Sequence, residues 1–254
     1  MHDLRGTTVL LTGASRGIGA ATARALGEAG ASLIAHYGSH RKGAEEAVAA
    51  ITESHRLLLQ ADLARRGAAR ELWREAVAWH GSIDVLVVNA ATMPATAFEG
   101  PDEEWDDGWA LAAQVNVLEP ASLIREAVGH FLEREGGIVI ALSSWAAQRG
   151  SAISQLGAYA ASKAALANLT QTVARNYASA GILAYVVAPG IVRTRLSEVS
   201  AAARGGVEAV NAALALGEMV PPEEVAELIV FLASGQCRHL TGATIDVNGA
   251  SNIR

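Results

Sequence analysis

The sharpest chemistry in the chain sits in Tyr159-Ala160-Ala161-Ser162-Lys163. Its alanine-rich surroundings favour a helix, and in a helix side chains four apart share one face. A phenol and an ammonium are thereby set side by side. Tyrosine, with an ordinary pKa near 10, exchanges protons poorly at neutral pH. A cation at ~4 to 5 Å, in an effective dielectric of ~20, favours the phenolate by about 3 to 4 kcal/mol. This predicts a Tyr159 pKa lowered by about two units, into the range useful for general acid and base work. A Tyr-x-x-x-Lys alone arises often by chance; a second motif about 140 residues upstream gives it weight.

That motif is Thr12-Gly13-Ala14-Ser15-Arg16-Gly17-Ile18-Gly19, lodged between an apolar run and a helical pattern. Glycines there permit positive φ and close approach of backbone to a ligand, and the amides of a new helix attract a pyrophosphate. A dinucleotide site is expected, with Gly13, Ser15, Arg16, Gly17, Ile18 and Gly19 around the cofactor. A site for NAD would place an acid at the end of the second strand, against the adenosine 2′-hydroxyl. The chain instead reads Ala35-His36-Tyr37-Gly38-Ser39-His40-Arg41-Lys42, with Tyr37 at the acid's position. A 2′-phosphate gains from the Ser39 hydroxyl and the Arg16 guanidinium, so NADP is expected in preference to NAD. Arg41 and Lys42 read as solvated residues at a helix start.

The elements that position these groups follow from periodicity. Strands are expected at Thr7 to Thr12, Ala31 to His36, Arg56 to Gln60, Ile83 to Asn89, Gly137 to Ser143, Ile182 to Ala188 and Ala243 to Val247. Alanine-rich helical stretches separate them, among them Gly19 to Ala29, Gly43 to Thr52, Ala68 to Trp79, Ala158 to Ala178 and Glu223 to Ala233. This alternation predicts an α/β fold: one doubly wound, Rossmann-like domain over residues 1–254, its seven-stranded parallel sheet flanked by helices on both faces. The stretch 195–218 breaks the rhythm and suits a substrate lid. Strand ends at one edge of such a sheet face the ligand crevice, which brings in Leu142-Ser143-Ser144-Trp145. Trp105 and Trp109 read as a surface or subunit contact.

The spacing Thr-Gly-x-x-x-Gly-x-Gly resembles that of the short-chain dehydrogenase/reductase family, and the resemblance extends over nearly the whole chain. Asp62-Leu63 follows the third strand, where the family's Asp contacts adenine. Val88-Asn89-Ala90-Ala91 resembles the family's Asn-Asn-Ala-Gly at Asn89 and Ala90, and departs from it at Val88 and Ala91. Pro189-Gly190-Ile191-Val192-Arg193-Thr194 resembles the stretch whose Thr holds the nicotinamide carboxamide. The resemblance implies that Asn116, Ser144, Tyr159 and Lys163 are catalytic, with Ser143 the fallback for Ser144. It implies that Tyr159 transfers the proton, Ser144 holds the substrate oxygen, Lys163 holds the nicotinamide ribose and Asn116 supports a proton relay. It further implies cofactor contacts from Tyr159, Lys163, Asp62, Leu63, Asn89, Ala90, Pro189, Gly190 and Thr194. The activity it implies is a reversible NADP-dependent carbonyl reduction like that of the 3-oxoacyl carrier-protein reductases, in a homotetramer. A redox-silent NADP-binding sensor or scaffold is the alternative, since a fold by itself sets no function; an epimerase or dehydratase of the longer family branch is disfavoured. The substrate is a small-molecule carbonyl or alcohol: an oxoacyl thioester, a quinone-like ring, a steroid or a simple ketone.

Composition bounds these readings. The chain has 254 residues, 51% hydrophobic and 18% charged, with a formal net charge of −6. It is long and apolar enough to bury a large core, and no basic run offers a footprint for nucleic acid. The lone Cys237 excludes an intrachain disulfide framework and any multi-cysteine zinc site. Seven scattered histidines lack metal-ligand spacing. No secretory signal is expected at the start, and the apolar run Ile182 to Ala188 is far short of the roughly 20 residues of a membrane span. A soluble, cytoplasmic protein without metal, membrane or nucleic-acid partners is expected.

Overall fold

Alternation along the strands decides where the helices must lie. In β1 (Thr8–Leu11), Val9 and Leu11 point to one face and Leu10 to the other, as the period of two in a strand requires. The computed structural model describes residues 2–195, 197, 201 and 205–253. In it β1, β2 (Ser32–Tyr37), β3 (Arg56–Gln60), β4 (Val85–Val88), β5 (Gly137–Leu142), β6 (Ile182–Pro189) and β7 (Thr244–Val247) pair in the order β3-β2-β1-β4-β5-β6-β7. Every pairing is parallel, as the sequence predicts.

Because both faces of a parallel sheet are covered, the central strands are apolar throughout. The face of Val9 and Leu11 packs against α1 (Gly17–Glu28), through Ala23 and Leu26, and against α9 (Pro222–Ala233), through Val225 and Ile229. The short α2 (Arg41–Ala47) adds Ala47 to that side. The face of Leu10 packs against α3 (Ala68–His80), α5 (Glu119–Glu133) and α7 (Gly157–Tyr177), through Trp73, Leu123, Phe131 and Leu166. Ahead of α5 runs α4 (Asp102–Ala113), and the two are joined by a π-helical turn, Gln114–Leu118. The α4 surface carries an exposed aromatic row in which the Trp105 and Trp109 rings lie 5.7 Å apart.

After β5 come the four-residue helix α6 (Ala146–Arg149) and a 3₁₀ turn at Ser154–Leu156. These absorb the length between Ser144 and Tyr159. Of the expected lid, Leu196, Glu198, Val199, Ser200, Ala202, Ala203 and Arg204 lie outside the described residues. Its remainder includes α8 (Val207–Ala212), whose Val210 is buried with Ala201 and Met219 in a small cluster apart from the two main cores. Among the described residues, no helix is long and apolar enough to cross a membrane.

Phe131 is the keystone of the α5 side. It is fully buried, meets Trp73 edge-on at 6.4 Å, and fills the space above Gly137, where an added Cβ would lie 2.3 Å from its ring. Phe131→Ala leaves a cavity there and is expected to cost about 3 to 5 kcal/mol of unfolding free energy. Urea unfolding checks this through a lowered midpoint at unchanged slope; a loss under about 1 kcal/mol would mean that α5 does not depend on this ring.

Candidate active site

The sheet reverses direction between β1 and β4: β2 and β3 lie to one side, β5 to β7 to the other. At such a switch point the crossovers leave in opposite directions and open a crevice at the carboxyl ends of the strands. A cavity of about 1140 Å³ lies there. Its lining runs from Ala61, Asp62 and Leu63, just past β3, to Ser144 and Trp145, just past β5. Four strand spacings at ~4.8 Å separate those ends, roughly 19 Å, the reach of an extended dinucleotide.

The glycine loop is held by side chains from β2 and β4. Gly13 takes φ +72°, and its amide donates to His36 Nδ1 at 3.1 Å while the amide of Ala14 donates to the His36 carbonyl at 2.8 Å. His36 Nε2 in turn donates to the Ala61 carbonyl at 3.0 Å. A backbone amide only donates and a carbonyl only accepts, so the imidazole is fixed as the neutral Nε2–H tautomer. Burial agrees, pushing His36 below its ordinary pKa. From the other side Asn89 Nδ2 donates to the carbonyls of Thr12 and Gly13, and Thr12 Oγ1 accepts from the amides of Asn89 and Ala90. A Cβ on Gly19 would sit 1.9 Å from the Gly13 carbonyl, so this glycine lets α1 start against the loop. The first helical amide to turn back is that of Ala20, to Arg16. The preceding amides of Gly17 and Ile18 are left at the cavity, as an anion requires.

The end of the cavity past β2 and β3 carries basic and hydroxyl side chains. Arg16 and Ser39 are exposed and line the cavity, and Arg16 has no acidic partner among the described residues. His40 lines it too, and its Nδ1 is buried without a hydrogen-bond partner. Tyr37 does not line the cavity. Side chains alternate along β2, so His36 meets the loop and Tyr37 turns the other way, buried beside Arg41. Arg41 pairs with Glu45 at 2.7 Å and Lys42 with Glu46 at 3.8 Å, both exposed, as expected of solvated helix-start residues. Asp62 lines the cavity while accepting from the Ala64 amide at 2.9 Å.

At the far end Ser144 and Tyr159 both line the cavity, with the Ser144 hydroxyl near enough to act on the phenol. Ser143 is committed elsewhere: its hydroxyl donates to the Lys163 carbonyl at 2.9 Å. Lys163 is buried, and Nζ donates to the Leu142 carbonyl at 2.7 Å, 5.9 Å from the Tyr159 ring centre. This corrects the expected acidification of the phenol. Burial pushes Tyr159 above its ordinary value, the Ser144 hydroxyl opposes that, and burial likewise pushes Lys163 down to about 8. Desolvation penalises the charged form of each, and the ammonium is aimed at a carbonyl rather than at the phenol oxygen. Asn116, buried in the π-helical turn, bonds both backbone groups of Thr92 at 2.8 Å and donates to Ser162 Oγ at 3.0 Å. Ser162 donates onward to the Tyr159 carbonyl at 2.7 Å. Asn116 thus ties the loop after β4 to α7 without itself lining the cavity.

Pro189, Gly190 and Thr194 line the cavity with Asn89 and Ala90, and Thr194 packs so closely over Gly17 that a Cβ there would come within 2.9 Å of its methyl. Ala91, where the family's Gly stands, is not among the residues of positive φ and needs no glycine. Of the residues expected at the cofactor, Gly19, Tyr37 and Lys163 lie behind the lining. His36, His40 and Thr12 were not singled out. The only available signal for the histidines was their place at the end of the second strand. Among the described residues, no group of three His, Cys, Asp or Glu is placed to hold a metal ion.

A family model described as "Enoyl-(Acyl carrier protein) reductase" matches residues 13–251. The 3beta-hydroxysteroid dehydrogenase 1 of Eggerthella lenta is 34% identical, over 99% of this chain and 95% of its own. The cis-4-hydroxycyclohexanecarboxylate dehydrogenase of Sinomonas cyclohexanicum is 36% identical over 94% of each. Among solved structures, a 3-oxoacyl (acyl-carrier-protein) reductase from Agrobacterium tumefaciens with NADP bound superposes with a TM-score of 0.87 at 33% identity, covering 97% of this chain and 95% of that one.

The neutral His36 makes the loop sensitive to acid. Above the ordinary value of 6.5 it is uncharged folded or unfolded; as pH falls below that, the unfolded chain takes a proton that the folded His36 resists. Stability is therefore expected to drop as pH falls below about 6.5. Comparing urea unfolding at pH 7.5 and 5.0 in the native chain and in His36→Gln checks this. The variant should be weaker at pH 7.5 but less dependent on pH, and an equal dependence in both would reject the assignment.

Proposed function

The chain belongs to the short-chain dehydrogenase/reductase family and is a hydride-transferring oxidoreductase that uses a nicotinamide cofactor; from that premise we propose that it interconverts a ketone and a secondary alcohol with NADP(H). The observation that carries the reading is the placement of the Ser144 hydroxyl and the Tyr159 phenol together on the cavity wall, at the end of the crevice opposite the phosphate-binding loop. The relatives described above are named for steroid, hydroxycyclohexane and 3-oxoacyl substrates, all secondary alcohols or ketones.

When bound, the nicotinamide supplies or takes the hydride at the carbonyl carbon. The chain's own groups manage the oxygen and its proton. Tyr159, kept protonated at neutral pH by burial, delivers its proton to the developing alkoxide in the reductive direction. Ser144 holds the same oxygen. Lys163, losing its proton only at about 8, sets a buried positive charge behind the phenol and favours the transient phenolate. Asn116 positions Tyr159 through Ser162 and holds the loop after β4 in place. Asp62, Leu63, Asn89, Ala90, Pro189, Gly190 and Thr194 flank the cofactor. NADP over NAD is supported by Arg16, Ser39 and the unpartnered His40 Nδ1, and by the lack of an acid at the end of β2. We read the chain as one domain, acting in the cytoplasm as a homotetramer. A redox-silent scaffold gains no support beside a complete Asn116, Ser144, Tyr159 and Lys163 set.

Tyr159→Phe should lower kcat for carbonyl reduction by at least about a hundredfold while leaving NADPH binding, followed by fluorescence, within about twofold. Turnover near the native rate would remove the proton role. Arg16→Ala should raise the KM for NADPH by about tenfold or more, the worth of one charge-assisted contact, and leave that for NADH little changed. An equal effect on both, or a native preference for NADH, would overturn the NADP assignment.

A further inference from the structure

Charge is distributed unevenly around the cavity. Among the described lining residues the only acid is Asp62, at the adenosine end. Past β5 the charged lining residues are Arg149 and Arg195. Neither has an ion-pair partner among the described residues, whereas nearby Arg193 lies outside the lining and pairs with Glu218 at 3.7 Å. Arg149 is also oriented. It closes the short helix α6 that Ser144 starts, since the Ser144 hydroxyl accepts from the Ala146 amide at 3.2 Å, and its guanidinium lies over the Trp145 ring at 4.5 Å.

We propose that Arg149, held on Trp145 and assisted by Arg195, binds a carboxylate on the substrate, so that the preferred substrate is a ketone carrying an acid group at its far end. This rests on the reading of Ser144 and Tyr159 as the reacting end. A guanidinium presents a planar fork that matches a carboxylate, and stacking on an aromatic face fixes the plane of that fork before the ligand arrives. The lining beside Arg149 includes the apolar Ala146, Ile153 and Leu156, which suits a hydrocarbon ring or short chain, while Arg149 itself is exposed.

The test compares 4-oxocyclohexanecarboxylate with its methyl ester, a neutral near-isostere, as substrates of the native enzyme, Arg149→Gln and Arg193→Gln. The acid should have the higher kcat/KM in the native enzyme by at least tenfold. Arg149→Gln should cut that acid-to-ester ratio by at least tenfold, and Arg193→Gln should leave it as it is. Calorimetric titration with cyclohexanecarboxylate, which cannot react, should show binding to the native chain and to Tyr159→Phe, and at least tenfold weaker binding to Arg149→Gln. An acid-to-ester ratio near one, or equal cyclohexanecarboxylate binding with and without Arg149, overturns the proposal. If neither ketone is reduced while the carboxylate still binds through Arg149, the failure lies in the reading of Ser144 and Tyr159, and the anion site stands.

Discussion

The site depends on the parting of two parallel strands. β1 and β4 pair only through Val9, Leu10 and Leu11; beyond them the chain turns to opposite faces, and the backbone groups at the split need new partners. Thr12 and Asn89 supply them from both sides of the gap, and His36 closes the third side with its ring. The glycine loop keeps its shape through these contacts. Its glycines permit the conformation, but the hydrogen bonds select it.

Burial then sets the proton states at the other end of the crevice. Lys163 and Tyr159 are one helical turn apart, close enough to influence one another, yet each responds first to the loss of water. The phenol retains its proton and the ammonium holds its own less tightly than in water. This asymmetry suits the reduction of a ketone, in which the phenol must begin protonated and the positive charge matters once that proton has left. Asn116 and Ser162 contribute by geometry: Asn116 ties the helix carrying the phenol, at Ser162, to the loop after β4 at Thr92.

Much of the fold was legible because parallel strands buried on both faces leave short aliphatic runs that no surface element imitates. All seven runs became strands within about two residues of their expected ends. The helix Glu119–Glu133 was not picked out: α4 runs into it through a π-helical turn that leaves no compositional mark, and Pro120 lies in its first turn. Within the site, the glycine loop and Tyr159 were readable from type and spacing. What could not be read was direction. Spacing put Lys163 beside Tyr159 but not its Nζ against Leu142, and it put Tyr37 at the end of β2 without saying which way that strand's alternation would turn it. His36 serves through a tautomer fixed by backbone atoms from two distant segments, which no local pattern encodes.

The π-helical turn at Gln114–Leu118 also acts as a phase adjuster for the long helical arm that crosses the sheet. Leu111 and Val115, before and within it, face the cavity, whereas Leu123 and Phe131, beyond it, face the sheet. A regular helix advances about 100° per residue, so removing the one extra residue of this turn would rotate everything downstream by that angle. Leu123 and Phe131 would then leave the sheet for solvent, or Asn116 would swing away from Thr92. A change of one residue in the length of this arm is therefore far more disruptive than a substitution on its outer surface.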